Sequence, residues 1–203
     1  FRYLLVMPQA TRDLSDLLSH DRVAGHKFDE AKTILKQVAN HLHYLHSQCN
    51  MIHGDVKSRN LVELTRADGP SVWILIDLDA ACPIGQDAGQ KITSNAFYPP
   101  EMGQYDLQKN VGMRPPVATA AFEMWYFGLL VFQLSTKDAP TLWQSTQADN
   151  LLHFQDMEAL AYHWDTLKLE KIRAIATSSG QDWTPAADLA LWLLQGKASR
   201  RPE

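Results

Sequence analysis

Residues 118–134 form a segment that is apolar on nearly every side. A helix without a polar face has to be buried among other parts of the same fold. The chain contains no uninterrupted run of roughly 18 apolar residues, so a membrane span is not expected. The segment therefore predicts a lobe with this helix at its centre and other elements packed around it.

Other helices are predicted where apolar residues recur every three or four positions. The strongest of these patterns covers residues 29–47 and predicts a long amphipathic helix. Further helices are expected over residues 13–18, 150–162, 165–177 and 186–196. The stretch 80–116 contains several Gly and Pro residues and is expected to be mostly loop.

Strands are expected in a few short segments. Residues 4–7 form an apolar run that ends at Pro8, because proline cannot donate to a central ladder. Residues 60–64 and 72–76 predict two strands with a turn between them, which together indicate a hairpin. The predicted fold is thus of the α+β class, mostly helical with a small β-hairpin.

Composition limits the possible partners and the setting. The chain has 203 residues, enough for one domain or most of one, and it begins and stops abruptly, so we expect a fragment of a longer protein. A net charge of −4 does not indicate a basic surface that would bind nucleic acid. Cys49 and Cys82 are too few for a disulfide framework and favour a cytoplasmic location, either of the whole protein or of the intracellular part of a larger one.

Three motifs bring polar residues together in a fixed order. Residues 53–60 read HGDVKSRN, residues 77–79 read DLD and residues 99–101 read PPE. The set resembles the catalytic loop, the metal-binding motif and the A-P-E motif of protein kinases, in the same order and at ordinary separations. Residues 123–128, EMWYFG, resemble the start of the family's central helix. The resemblance covers nearly the whole chain.

This resemblance implies a phosphoryl-transfer site. Asp55 would orient the hydroxyl of a protein substrate and accept its proton, and Lys57 would lie beside the transferring phosphate. Asn60 and Asp77 would bind Mg²⁺, which prefers oxygen ligands. Since charge spreads over the phosphate oxygens during transfer, the chemistry needs positioning and fixed charge of this kind.

The resemblance also implies contacts with ATP. Met7 would be the gatekeeper, Pro8 would offer its carbonyl to the adenine and Ala10 would offer its N–H. Val62 would pack under the adenine ring, and Asp13 would reach the ribose hydroxyls. Proline is tolerable at position 8 because only a carbonyl is required there.

The implied domain is partial. Residues 1–12 would be the hinge region and residues 13–203 the C-terminal lobe, with the N-terminal lobe essentially absent. A glycine-rich loop and a strand lysine paired with a helix glutamate would then lie upstream, in roughly 80 further residues. We expect this polypeptide alone to bind ATP poorly and to be inactive.

The phosphate acceptor is expected to be serine or threonine. Lys57 at its position is typical of Ser/Thr kinases, and Ser94 falls where these kinases keep a hydroxyl near the catalytic residues. Thr93 is a candidate phosphorylation site. The combination of motifs also resembles divergent tyrosine-kinase-like groups, which leaves the exact branch open.

Three residues are expected to have structural roles. His53 is predicted to be packed in the core, and Glu123 stands where the family has an aspartate that bonds the catalytic loop. Arg201 is expected to form a buried ion pair with Glu101, and loss of one partner of such a pair costs about 3–5 kcal/mol.

Departures from the family pattern support an alternative function. Gly54 replaces the usual Arg, Asp79 replaces Gly and Glu123 replaces Asp, so a kinase-like scaffold without catalysis is the second hypothesis. For Asp79, a turn-capping role and a metal-binding role are both open. A small-molecule kinase is disfavoured by Ser94 and the PPE motif at 99–101.

His43 and His46 are three residues apart on a predicted helix, a possible zinc-ligand spacing. Packing and surface roles are the favoured interpretation for both.

Overall fold

The computed structural model describes residues 6–21, 23–66, 69–89, 91, 93–138, 141–176 and 183–203. Of the strand predicted over residues 4–7, residues 4 and 5 lie outside this described part, and Val6 and Met7 are not in a strand. No helix in the described ranges has the length and apolar character needed to cross a bilayer.

The centre of the fold is helix α4, Ala120–Ser135, which begins after the side chain of Thr119 accepts a hydrogen bond from the Phe122 N–H. Every residue of α4 except Ala120 and Met124 is buried. The central helix predicted over 118–134 is therefore confirmed to within two residues at its start and one at its end.

Two long helices pack against α4. Helix α2, Phe28–Ser47, turns the apolar side chains of Ala31, Ile34, Val38 and Leu42 inward, as the periodicity predicts. Helix α7, Thr184–Leu193, also packs on α4, with Pro185 in its first turn, where proline leaves no helical hydrogen bond unmade. At Gly128 of α4 a Cβ atom would lie 2.9 Å from the Cβ of Leu193, so the glycine allows this close approach.

Short strands form two small antiparallel sheets. Strands β3, Leu61–Leu64, and β4, Val72–Leu75, form the predicted hairpin. Strand β1, Arg12–Asp13, adds to β3 as a third strand, and the sequence gives no signal for it. Strands β2, Met51–Ile52, and β5, Cys82–Pro83, form the second sheet. Together they place the segments that follow β2 and β4 side by side.

Helix α1, Leu14–His20, follows β1 directly. The Asp13 side chain accepts from the Asp16 N–H at 2.8 Å and the Asp16 side chain reaches back to the Asp13 N–H, which is a capping box. Two orphan N–H groups are satisfied in this way, and the helix begins one residue later than predicted.

The second half of the chain departs from prediction in several places. The helix predicted from residue 150 begins only at Phe154, and the last helix ends at Leu193, three residues earlier than predicted. Helix α3, Pro100–Gln108, lies in a stretch predicted to be loop, because its two leading prolines indicate a turn although Pro100 sits at the favourable first helical position. Helices α5, Phe154–Glu158, and α6, Trp164–Ala176, are joined by a π-helical turn, Ala159–His163, without the break predicted near residue 163.

The ion pair expected between Arg201 and Glu101 is present. Two guanidinium nitrogens donate to the two carboxylate oxygens of Glu101, each at 2.7 Å. Arg201 also donates to the carbonyls of Gln195 and Ala121, at 2.8 and 3.3 Å. The pair thereby joins the end of the chain to the starts of α3 and α4.

Candidate active site

The loop after β2 is held from below by His53, which is completely buried. Its Nδ1 accepts from the Asp55 N–H at 3.3 Å, so its Nε2 carries the proton and donates to the Ile76 carbonyl at 2.9 Å. This side chain therefore joins the loop to the end of β4, and Asp77 follows directly. The core role expected for His53 agrees with this placement.

Glu123 holds the same loop from the side of α4. The carboxylate is fully buried, and its Oε1 accepts from the Gly54 N–H at 2.7 Å. Its Oε2 lies 2.7 Å from Nε2 of His46. His46 is thus engaged with Glu123, and no group of three His, Cys, Asp or Glu residues in the described ranges is arranged to hold a metal ion.

Gly54 has a backbone φ of +79°, and a Cβ atom at this position would lie 2.5 Å from the carbonyl oxygen of Ala80. Both features require glycine. Residues with a side chain rarely adopt this φ, and the Ala80 carbonyl belongs to the backbone, so it cannot move aside as the end of a flexible side chain could. The residue that replaces the family's arginine is therefore fixed by the close packing of two loops.

The side chain of Asp55 is contacted by those of Lys57 and Asn60. The Lys57 ammonium lies 3.0 Å from Oδ2 of Asp55 and donates to the Ser94 hydroxyl at 3.1 Å. The Asn60 Nδ2 donates to the same Oδ2 at 3.1 Å and to the Asp55 carbonyl at 2.8 Å. Four residues from two segments of the chain are thus brought into one network.

The other oxygen of Asp55 has a different environment. Asp55 Oδ1 is buried and has no hydrogen-bond partner in the part of the chain that the structure describes. A buried acceptor without a partner loses its hydration and gains nothing in return. Oδ2 is already engaged twice, so Oδ1 is the Asp55 oxygen that keeps an unused hydrogen-bonding position.

Asp77 adopts the left-handed backbone conformation, with φ 68°, and its side chain accepts from the Asp79 N–H at 3.4 Å. The turn is therefore capped by Asp77, and the Asp79 carboxylate is not the cap. Asp79 is 73% exposed at its side chain and forms an ion pair with Lys91. Asp79 thus contributes its backbone N–H to the turn, while its carboxylate faces the cleft, and both its turn role and its metal-binding role stay open.

These residues surround a cleft of about 280 Å³. Its walls are formed by Asp55, Lys57, Asp77, Asp79, Ala80, Lys91, Thr93, Ser94 and Asn150. Three of the wall residues carry carboxylates and two carry ammonium groups, so a ligand with both phosphate oxygens and a cation would find complementary charges.

The donor set fits a magnesium ion that is only partly coordinated by protein. Both hydrogen bonds of the Asn60 amide use Nδ2, which leaves its Oδ1 available, and Asp77 offers a carboxylate. Mg²⁺ commonly takes one or two carboxylates and fills its remaining positions with phosphate oxygens and water. Asn60 and Asp77 would hold the ion in this arrangement.

The residues proposed to contact ATP lie away from these walls. Met7 and Pro8 are exposed, and Ala10 is half-buried just before β1. Asp13 and Val62 are direct partners in the pairing of β1 with β3, so these two are brought together. None of the five lines the cleft around Asp55.

Thr93 and Ser94 both line the cleft, whereas Glu101 lies outside it in the ion pair with Arg201. Three further wall residues, Ala80, Lys91 and Asn150, were not identified from the sequence. Lys91 stands in a loop without a motif. Asn150 comes from a distant segment that is fastened by Asn95, whose side chain accepts from the Leu151 N–H at 2.7 Å.

Comparison with known proteins agrees with this geometry. The family model described as the protein kinase domain matches residues 2–203. A protein of Dictyostelium discoideum described as probable serine/threonine-protein kinase sky1 is 35% identical over 60 residues, which is 30% of this chain and 9% of that protein. The aligned part thus spans less than a tenth of that relative. Since the family model covers almost the entire sequence, the chain belongs to the protein kinase domain family.

Proposed function

We propose that the protein containing this chain is a serine/threonine kinase that transfers the γ-phosphoryl group of ATP to a hydroxyl of a protein substrate. The observation that carries this proposal is the Lys57 ammonium, which lies 3.0 Å from Asp55 Oδ2 and 3.1 Å from the Ser94 hydroxyl. One cation thus joins the proposed catalytic carboxylate to the segment that would support a peptide.

The chemistry assigned to each side chain follows from its contacts. The Asp55 carboxylate, which lines the cleft, accepts the hydrogen bond and then the proton of the substrate hydroxyl. Lys57 supplies a fixed positive charge beside the transferred group, and Asn60 keeps the Asp55 carboxylate in place through Oδ2. Asn60 and Asp77 would hold Mg²⁺, which would supply positive charge to neutralise the phosphate oxygens.

A serine or threonine acceptor is supported by the contact between Lys57 and Ser94. Ser94 stands where the resemblance to Ser/Thr kinases expects a hydroxyl that bonds the catalytic lysine, and Lys57 donates to it at 3.1 Å. The relative from Dictyostelium discoideum bears a matching description.

The proposal also assigns the rest of the nucleotide site. We assign residues 13–203 to the C-terminal lobe and residues 1–12 to the hinge beside which ATP would bind. Asp13 and Val62 are partners in the sheet. In this assignment Val62 packs under the adenine and Asp13 reaches the ribose hydroxyls. The proposed place of action is the cytoplasm, in keeping with two free cysteines.

The test is transfer of labelled phosphate from Mg·ATP to a generic Ser/Thr protein substrate by the longest polypeptide that contains the chain. Asp55→Asn should abolish transfer while preserving the bond from Asn60. Asp29→Asn, an exposed aspartate in the first turn of α2, is the matched control and should leave transfer unchanged. Equal transfer by the wild type and Asp55→Asn would refute catalysis by this site.

A kinase-like scaffold is the second candidate. The observation that favours it is the Lys91 ammonium on Asp79, since it places a positive charge in the cleft where a metal ion is expected. Folded wild-type protein that transfers no phosphate above the Asp55→Asn background would support this alternative.

A further inference from the structure

The cleft contains an ion pair that the proposed mechanism does not use. Lys91 Nζ contacts Asp79 Oδ2, and both residues line the same walls as Asp55 and Asp77. Within the described ranges the Asp79 carboxylate makes no other hydrogen bond or ion pair. The pair therefore joins the turn after β4 to the loop that leads to Thr93.

The charges that line the cleft determine how Lys91 affects the binding of a cation. Of the wall residues, three carry carboxylates and two carry ammonium groups, which gives −3 + 2 = −1. Without Lys91 the sum is −3 + 1 = −2. A divalent cation is attracted more strongly to the second arrangement, so the Lys91 ammonium opposes its binding.

The pair is also loose enough to be displaced. The side chain of Lys91 is 49% exposed and that of Asp79 is 73% exposed. Exposed pairs of this kind are weak, because water screens them and two flexible side chains have to be ordered. A divalent cation held at Asp77 can therefore exchange with the ammonium at Asp79.

We propose that Lys91 is a tethered counter-ion that occupies the Asp79 carboxylate in the cation-free protein and is displaced when a divalent cation binds beside Asp77. Asp79 then becomes an additional oxygen ligand. Cation binding and the positions of Lys91, Thr93 and Ser94 are thereby coupled. The inference takes from the proposed function only that a divalent cation enters this cleft, and it concerns binding, not transfer.

The test measures Mn²⁺ binding in the absence of nucleotide, from the electron paramagnetic resonance signal of free Mn²⁺. Lys91→Gln should bind Mn²⁺ about threefold to fivefold more tightly than the wild type, the range that a weak exposed pair can oppose. Asp79→Asn should bind more weakly. Adding Lys91→Gln to Asp79→Asn should change the affinity by much less than threefold, since the lysine then has no carboxylate to occupy.

The matched control is Lys109→Gln, which removes an exposed lysine from a comparable pair with Asp106 on α3 and should leave Mn²⁺ affinity unchanged. Unchanged affinity in Lys91→Gln, or no Mn²⁺ binding by any variant at millimolar concentration, overturns the proposal. Equal tightening with and without Asp79 also overturns it, because only the general charge of the lysine would then be acting.

A second measurement examines the loop. Mn²⁺ should accelerate amide hydrogen exchange at Thr93 and Ser94 in the wild type and not in Lys91→Gln, since only the wild type has an ion pair with Asp79 to release. Identical exchange with and without Mn²⁺ in the wild type contradicts the coupling. These results do not depend on phosphate transfer, so failure of the proposed kinase activity would be seen separately.

Discussion

Replacement of Arg201 by Met offers a quantitative test of how the lobe is held together. The substitution keeps most of the side-chain length and removes the charge and every donor. It breaks both 2.7 Å bonds to Glu101 and the bonds to the Gln195 and Ala121 carbonyls. The guanidinium also leaves its place 5.2 Å from the centre of the Trp125 ring.

The expected loss follows from the burial of the two partners. Breaking a buried ion pair by removing one partner costs about 3–5 kcal/mol, because the other charge stays behind unpaired. The Arg201 side chain is fully buried, while that of Glu101 is 21% exposed and recovers some hydration. The loss should therefore lie near the lower end, about 3 kcal/mol, a large share of a domain's usual 5–15 kcal/mol.

The assay is urea unfolding at neutral pH, followed by tryptophan fluorescence. Arg200→Met, at the exposed neighbouring residue, is the control and should change the free energy of unfolding by less than about 0.5 kcal/mol. The double variant Glu101→Met with Arg201→Met should be more stable than Arg201→Met alone, since no unpaired charge remains. A loss below about 1 kcal/mol for Arg201→Met, or a double variant no more stable than the single one, would refute the reasoning.

Two further predictions concern the catalytic loop and the thiols. Gly54→Ala should lower the free energy of unfolding by at least about 2 kcal/mol, because it combines a strained φ with a clash against the Ala80 carbonyl. Gly112→Ala, which has a positive φ but open space, should cost less in the same thermal unfolding series. Burial, and then the charge of a nearby glutamate, raises the pKa of the Cys82 thiol, whereas Cys49 is exposed. Cys82 should therefore be alkylated by iodoacetamide only at higher pH than Cys49; equal rates for the two thiols in a mass-spectrometric pH series would contradict this.

Most of the helical core could be predicted from the sequence. The patterns at 29–47 and 118–134 follow from burial, which the local sequence records directly. Helix α3 was missed because Pro99 and Pro100 give the same local signal for a turn as for a helix start. The continuous helix through residues 154–176 was missed because a π-helical turn shifts the phase of the apolar pattern.

The contacts of the candidate site were also predictable only in part. The contact between Lys57 and Ser94 was anticipated because motif spacing fixes both positions. The pairing of Lys91 with Asp79 and the place of Asn150 in the cleft depend on how loops fold back, and no periodic pattern records that. Loop geometry of this kind is set by tertiary contacts.

The first turn of α4 has a consequence for how this chain can vary. Glu123 holds the Gly54 N–H, and the Ala121 carbonyl accepts from Arg201, so one helical turn carries attachments to both the catalytic loop and the end of the chain. A single inserted residue after Thr119 would rotate this turn by about 100° and break both attachments at once. Length changes should therefore be excluded from residues 119–123, since both attachments are positioned from this one turn.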